Sequence, residues 1–221
     1  MALEESKAFA GYAARPDYPI SYSVVYPERL SRRKAAQRAA GALLGWIVPA
    51  GLGYVSAVFY LGLWIIIGSL IAFGVVSVPQ VLAVRIRAKG LSRFLAEDGA
   101  TLERYAGRAL AAASYALFLT DAQPKEAIGQ TVRLEMRRGG KSGWLRTALT
   151  PILLLPHILL LTLFGFAFMF IVPVSAVIAV VFQRYPRWFF GFTVGYLRWI
   201  ARALGYWLSL TDRYPPFSFR G

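Results

Sequence analysis

The chain has 221 residues, 57% hydrophobic and 15% aromatic but only 16% charged, a balance shifted from the soluble average toward apolar side chains. Its formal charge is +14, from 25 Lys and Arg against 11 Asp and Glu, and it has no cysteine, which excludes a disulfide framework, a thiolate metal site and a thiol nucleophile. The cations flank apolar stretches instead of forming a groove-reading helix. That sets nucleic acid aside as a partner and points to anionic phospholipids, at roughly 1 kcal/mol per cation near a charged bilayer surface.

Residues 1–17 read as an N-terminal tail. It carries Glu4 and Glu5 where a secretory signal would be basic, and it lacks a short apolar core, so it does not read as a cleavable signal. A first repeat is expected over 18–124, opening with a strand-like run from Ile20 to Tyr26. No residue from Ala39 to Val84 is charged, which is long enough for a hairpin (39–84) of two helices of about 20 residues each. Its turn is expected between Tyr60 and Trp64, because Tyr and Trp favour the headgroup level and Gly62 tolerates a reversal. An amphipathic helix over 91–119 follows, with Arg93, Glu97, Thr101, Arg104 and Arg108 along one stripe.

A second repeat is expected over 125–221. Ile128, Gln130, Val132, Leu134 and Met136 alternate with Thr131, Arg133, Glu135 and Arg137, the period of a strand with one covered face. The two strand-like runs are expected to pair into a small cytoplasmic sheet. The second charge-free stretch gives a shorter hairpin (147–183), interrupted by Pro151, Pro156 and Pro173, with Gly165 as its tip. It either spans or enters the inner leaflet as a wedge. The last helix, 187–210, has a basic stripe on an aromatic cylinder, the pattern of a helix in the headgroup boundary, with Arg187, Trp188, Arg198, Trp199, Arg202 and Trp207 at the membrane interface. The alternative is that it packs on the hairpins as ordinary core.

The fold class that follows is a mainly all-α membrane protein: two helical transmembrane hairpins plus two amphipathic interfacial helices, with short β-strands. Arg29, Arg32, Arg33, Lys34 and Arg38 precede the first hairpin and Arg85, Arg87, Lys89 and Arg93 follow it. The second is flanked by Arg133, Arg137, Arg138, Lys141 and Arg146 and by Arg184 and Arg187. By the positive-inside rule, both N- and C-termini are expected in the cytoplasm.

Tyr105, Tyr115, Leu119, Thr120, Asp121 and Pro124 recur 91 positions later as Tyr196, Tyr206, Leu210, Thr211, Asp212 and Pro215, which reads as a tandem duplication. Thr120, Asp121, Thr211 and Asp212 are expected to be structural, since an Asp before a turn and a proline fixes the local backbone through its side chain. A catalytic carboxylate pair would need the two acids together at a substrate, which an offset in sequence does not establish. Gly41 and Gly45, and again Gly191 and Gly195, have the small-residue spacing of closely packed membrane helices. His157, the one histidine, falls inside an apolar stretch and is the candidate for binding a cofactor. The plainer reading is a neutral imidazole bonded to a neighbouring helix, because no Cys or second His is present to complete a metal site.

Tyr26-Pro27-Glu28-Arg29-Leu30-Ser31-Arg32, Pro156-His157, Arg184-Tyr185-Pro186-Arg187 and Leu210-Thr211-Asp212-Arg213-Tyr214-Pro215-Pro216-Phe217 resemble a bacterial membrane family known as domain of unknown function 4389. The resemblance covers nearly the whole chain after Tyr18 and implies an integral membrane protein, often duplicated; the expected location is the bacterial inner membrane. The first half departs from the pattern: it lacks the Pro-His and Arg-Tyr-Pro elements, and Asp121 is followed by Ala122-Gln123-Pro124.

No Asp, Glu, Lys or Arg lies within either apolar stretch, and no phosphate-binding glycine loop, nucleophile elbow or zinc signature occurs. The expected function is therefore a non-enzymatic membrane accessory or scaffold subunit. It would associate with other integral membrane proteins and anionic lipid, with no cofactor beyond bound lipid. A membrane-shaping hairpin protein is the alternative, and a small pseudo-symmetric transporter or channel a more distant one, since coupled transport usually places charges at the midplane.

Overall fold

The computed structural model describes residues 18–51, 53–141 and 143–219, so the tail assigned to 1–17 lies outside the described residues. The chain runs β1 (Ile20–Val24), α1 (Arg32–Gly51), α2 (Gly53–Lys89), α3 (Leu91–Glu97), α4 (Gly99–Ala116), α5 (Pro124–Ala127), β2 (Val132–Met136), α6 (Trp144–Leu153), α7 (Leu155–Phe182) and α8 (Arg187–Trp207). It is mainly helical, with a small two-stranded sheet.

The sheet follows from the period-two patterning. β1 turns Ile20, Tyr22 and Val24 inward and pairs antiparallel with β2, so that Tyr22 stands opposite Leu134 and Val24 opposite Val132. β1 lies on α8, and α4 packs against both α8 and β2. Gly205 of α8 makes the approach possible: a Cβ there would stand 2.1 Å from Ile20 Cδ1. Tyr22 hydrogen-bonds Ser114 of α4, and burial pushes its hydroxyl pKa well above the usual range, so it stays protonated at neutral pH.

The single helix expected over 91–119 is divided. Asp98 (φ −100°, ψ −25°) separates α3 from α4 and pairs with Lys89 at 2.7 Å. The first amide–carbonyl bonds still bridge the junction, with Asp98 N–H donating to Phe94 at 2.8 Å and Leu102 N–H to Asp98 at 3.0 Å. Arg93, Glu97, Arg104 and Arg108 of the expected polar stripe are exposed.

The two apolar stretches differ from expectation at their tips. Residues 60–64 lie within α2 and Gly165 lies within α7, with no backbone reversal at either place. α6 and α7 are themselves joined by helical bonds through Leu154, whose N–H donates to Thr150 at 2.9 Å and whose carbonyl accepts from Ile158 at 2.8 Å. The physical reason is that a glycine inside a helix costs only about 1 kcal/mol. A turn in an apolar segment would instead strip several peptide groups of their partners where no polar side chain can replace them, at several kcal/mol for each group.

In α2, Leu82 and Ile86 belong to the buried cluster with Val78 packed against it, while Leu70, Ile71 and Phe73 are more than 60% exposed. α6 and α7 bury Thr147, Thr150, Leu154, His157, Phe168, Ser175, Ala176 and Ala179. α7 packs on α1, and α6 on α2 and α8.

Candidate functional site

His157, in the second turn of α7, is fully buried. The indole N–H of Trp199 donates to its Nδ1 at 2.9 Å, which makes Nδ1 the acceptor and places the ring proton on Nε2. Nε2 is buried and has no hydrogen-bond partner among the described residues. Phe217 stacks on the imidazole at 4.0 Å and 9° between planes, and Tyr214 leans against it at 4.9 Å. The position a planar ligand would take beside His157 is thus filled by the chain's own Phe217. Pro156-His157 and the Leu-Thr-Asp-Arg-Tyr-Pro-Pro-Phe motif, 53 or more residues apart in sequence, form one aromatic cluster. Among the described residues no group of three or more His, Asp or Glu could hold a metal ion.

The basic stripe of α8 faces inward. Arg198 is 3% and Arg202 1% exposed. Arg198 donates from Nε to the Tyr22 carbonyl and from a terminal nitrogen to the Phe219 carbonyl, both at 3.1 Å. Arg202 donates to the Ser218 carbonyl at 3.3 Å and lies over the Tyr18 ring at 5.5 Å. Trp199 is 3% exposed, and Trp207 is half-buried with its indole N–H on the Val75 carbonyl at 3.0 Å. Of the six residues expected at the membrane interface, only Arg187 and Trp188 are exposed. A guanidinium carries five donors, and the carbonyls of β1 and of the segment 218–219 give these two arginines the acceptors that burial demands.

The repeated Leu-Thr-Asp motifs end their helices in the same way. α4 stops at Ala116 and α8 at Trp207, 91 positions later, and each is followed by a left-handed residue, Phe118 (φ 61°) and Ser209 (φ 57°). Leu119 N–H returns to Ser114 at 2.9 Å and Leu210 N–H to Gly205 at 3.0 Å, satisfying terminal carbonyls. An arginine then clasps each end. Arg38 of α1 donates to the Tyr115 and Thr120 carbonyls at 2.8 and 3.0 Å, pairs with Asp121, and covers the Tyr115 ring at 4.4 Å. Arg146 of α6 donates to the Thr211 carbonyl at 2.8 Å and covers the Tyr206 ring at 3.8 Å. The aspartates complete the clasps by accepting backbone N–H bonds, Asp121 from Ser31 and Asp212 from Lys141 at 3.0 Å. Thr120 and Thr211 each accept from the N–H two residues on, at 3.2 Å. The aspartates are therefore backbone anchors in separate clasps. Sequence reading did not single out Arg38 and Arg146 individually. The available signal was their shared place, the last cation before each charge-free stretch.

Gly140 closes the second clasp. Its φ is +146°, and a Cβ there would lie 2.6 Å from Asp212 Cγ, whereas nothing lies within 4 Å of a Cβ at Gly139. Gly140→Ala is expected to lower stability by about 2–4 kcal/mol through backbone strain and the displaced carboxylate. Gly139→Ala is expected to be close to neutral. Thermal unfolding of the two variants in one detergent checks this, and equal midpoints would refute it.

The glycines expected at helix contacts divide. A Cβ at Gly195 would meet Phe219 Cβ at 2.8 Å and its carbonyl oxygen at 2.9 Å, so its partner is the segment after α8, not another helix. Gly191 is half-buried, a Cβ at Gly41 would meet nothing within 4 Å, and the surroundings of Gly45 lie outside the described residues.

Among the described residues, two helical segments are long and apolar enough to cross a membrane, Gly68–Lys89 and Trp144–Phe168, each with 22% of its apolar window buried. A soluble core helix would be mostly covered. The α6–α7 rod instead carries an exposed apolar stripe from Leu145 through Leu149, Ile152, Leu159, Leu163, Phe166, Val174 and Val177 to Val181, following helical spacing along about 55 Å. No curated protein and no solved structure matches the chain. Residues 142–218, which contain the His157 cluster, the inward arginines and the second clasp, match the family model described as Domain of unknown function (DUF4389), the family that the chain's motifs resemble.

Proposed function

We propose that this chain is a non-enzymatic accessory or scaffold subunit of the bacterial cytoplasmic membrane, associating with anionic phospholipid and other integral membrane proteins. The observation that carries the reading is the division of its surfaces. Long apolar faces are exposed, while His157, Arg198 and Arg202, the groups best suited to chemistry, are buried and bonded to the chain itself. The basic flanks on both sides of the first apolar stretch support a crossing that returns to the cytoplasmic side. The repeated helix endings and clasps support a tandem duplication.

Purification in a mild detergent should retain a stoichiometric integral membrane partner. A lone monomer across several mild detergents and native nanodiscs would end the scaffold reading.

One observation favours membrane shaping as a second reading for the second half. The exposed stripe of α6 and α7 runs for about 55 Å, whereas the hydrocarbon core is about 30 Å thick. A rod lying along the inner leaflet keeps the whole stripe in lipid and both Arg146 and Arg184 at headgroup level. The chain has no native cysteine, and a Cβ at Gly165 meets only the Tyr196 hydroxyl, at 3.5 Å, so Gly165→Cys is a clean probe. An in-plane rod leaves it unlabelled by an impermeant reagent added outside spheroplasts. Rapid external labelling would rule that placement out.

A further inference from the structure

Two motifs from opposite halves of the chain interlock at the start of α8. The Tyr26 hydroxyl donates to the Tyr185 carbonyl, the Tyr26 ring meets Phe190 edge-on at 5.0 Å, and Leu30 N–H donates to the Gln183 carbonyl at 2.9 Å. Beneath them Tyr185 is 1% exposed and stacks on Phe189 at 5.3 Å. The junction is therefore fixed by packing, unlike most surface clusters of long side chains.

On this floor Arg29, Arg184 and Arg187 surround a cavity of about 510 Å³, with Glu28 the one acid in its lining. Among the described residues none of the three arginines is in an ion pair, although Arg38, Arg85 and Arg93 elsewhere all are. α8 begins at the same place with no capping side chain and no acid in its first turn, so its first amides add positive potential. Three guanidiniums and a helix start favour a phosphate group, which arginine forks can bind through two oxygens at once. The flanking residues decide its source: Phe182, 68% exposed, precedes Arg184, and Trp188, 77% exposed, follows Arg187. An apolar ligand body would cover both.

We infer that this cavity binds the phosphate of an anionic phospholipid headgroup, held by Arg29, Arg184 and Arg187 while the acyl chains lie against the end of α7. The inference rests on the membrane reading above and gives its lipid partner a defined site. It also gives the Tyr-Pro-Glu-Arg and Arg-Tyr-Pro-Arg motifs a common task.

The test uses the full chain in phosphatidylcholine vesicles with and without phosphatidylglycerol, reading bound lipid by native mass spectrometry after mild extraction. Wild type should retain phosphatidylglycerol over phosphatidylcholine, and R29Q/R184Q/R187Q should lose that preference by about tenfold or more. R104Q/R108Q, which removes two exposed cations elsewhere, should keep it. Helicity and incorporation into pure phosphatidylcholine vesicles should be unchanged in both variants. A triple variant that retains the preference, or a wild type without one, overturns the site. Inorganic phosphate at millimolar concentration displacing the lipid as well as a short-chain phosphatidylglycerol does would assign the cavity to soluble phosphate and overturn the lipid assignment. Failure of wild type to enter phosphatidylcholine vesicles would instead overturn the membrane reading itself.

Discussion

Trp199→Ala is expected to lower stability by about 3–5 kcal/mol and to free the segment after α8 from the body of the protein. The Trp199 indole bonds His157 and also meets Phe164, Phe217 and Phe219 with ring centroids 5.5–6.0 Å apart. Removing it leaves a cavity and a buried imidazole without its donor. Trp199→Phe keeps most of the volume and deletes the N–H, so its cost should fall to about 1–3 kcal/mol, the penalty for an unsatisfied buried acceptor. His157→Leu combined with Trp199→Phe should then recover part of that loss, because the stranded acceptor is gone. Thermal unfolding and tryptic cleavage after Arg213 read the two effects. Wild-type melting and wild-type protection at Arg213 in the alanine variant would show that the aromatic cluster does not hold this segment.

Arg38→Ala should cost about 3–5 kcal/mol, more than Arg146→Ala. Arg38 makes two carbonyl bonds and an ion pair with Asp121, with its side chain 9% exposed, and lies over both Tyr115 and Phe118. Its loss would remove the cation beside a partly buried carboxylate and one donor each from the Tyr115 and Thr120 carbonyls. Arg146 has one carbonyl bond and one ring contact of the same kind. Arg38→Lys should rescue little, since a point charge cannot replace a fork that bonds three groups while stacking on a ring. Because the pair is largely covered, the difference should persist at high salt, unlike that of a surface pair. An Arg146 variant that melts at or below the Arg38 variant would contradict this ranking.

The sequence was most legible where backbone and side-chain periods left one solution. Ile20, Tyr22 and Val24 alternate with polar residues, as do Val132, Leu134 and Met136, and these positions pair in the sheet. The offset of 91 between the Leu-Thr-Asp motifs was visible as spelling, and it corresponds to two helices that end alike. The orientation of α8 was not legible. Periodicity says which residues share a face of a helix, but in an apolar chain it does not say which face is inside, because lipid and core both accept aromatic side chains. Arg198 and Arg202 face inward only because carbonyls from Tyr22, Ser218 and Phe219 arrive from elsewhere in the chain. Glycine misled for a related reason: Gly62 and Gly165 permit a reversal without requiring one.

Pairing across such distances also governs how the molecule assembles. Arg198 and the Tyr22 carbonyl are 176 positions apart, and β1 finds its other partner only once β2 has been made. Contacts this remote carry a large loop-closure cost before they return any stabilisation, and they slow folding. β1 is translated early yet stays unpaired while α1 through α5 emerge, an open strand edge beside an apolar segment, the kind of exposed element that attracts chaperones and wrong partners.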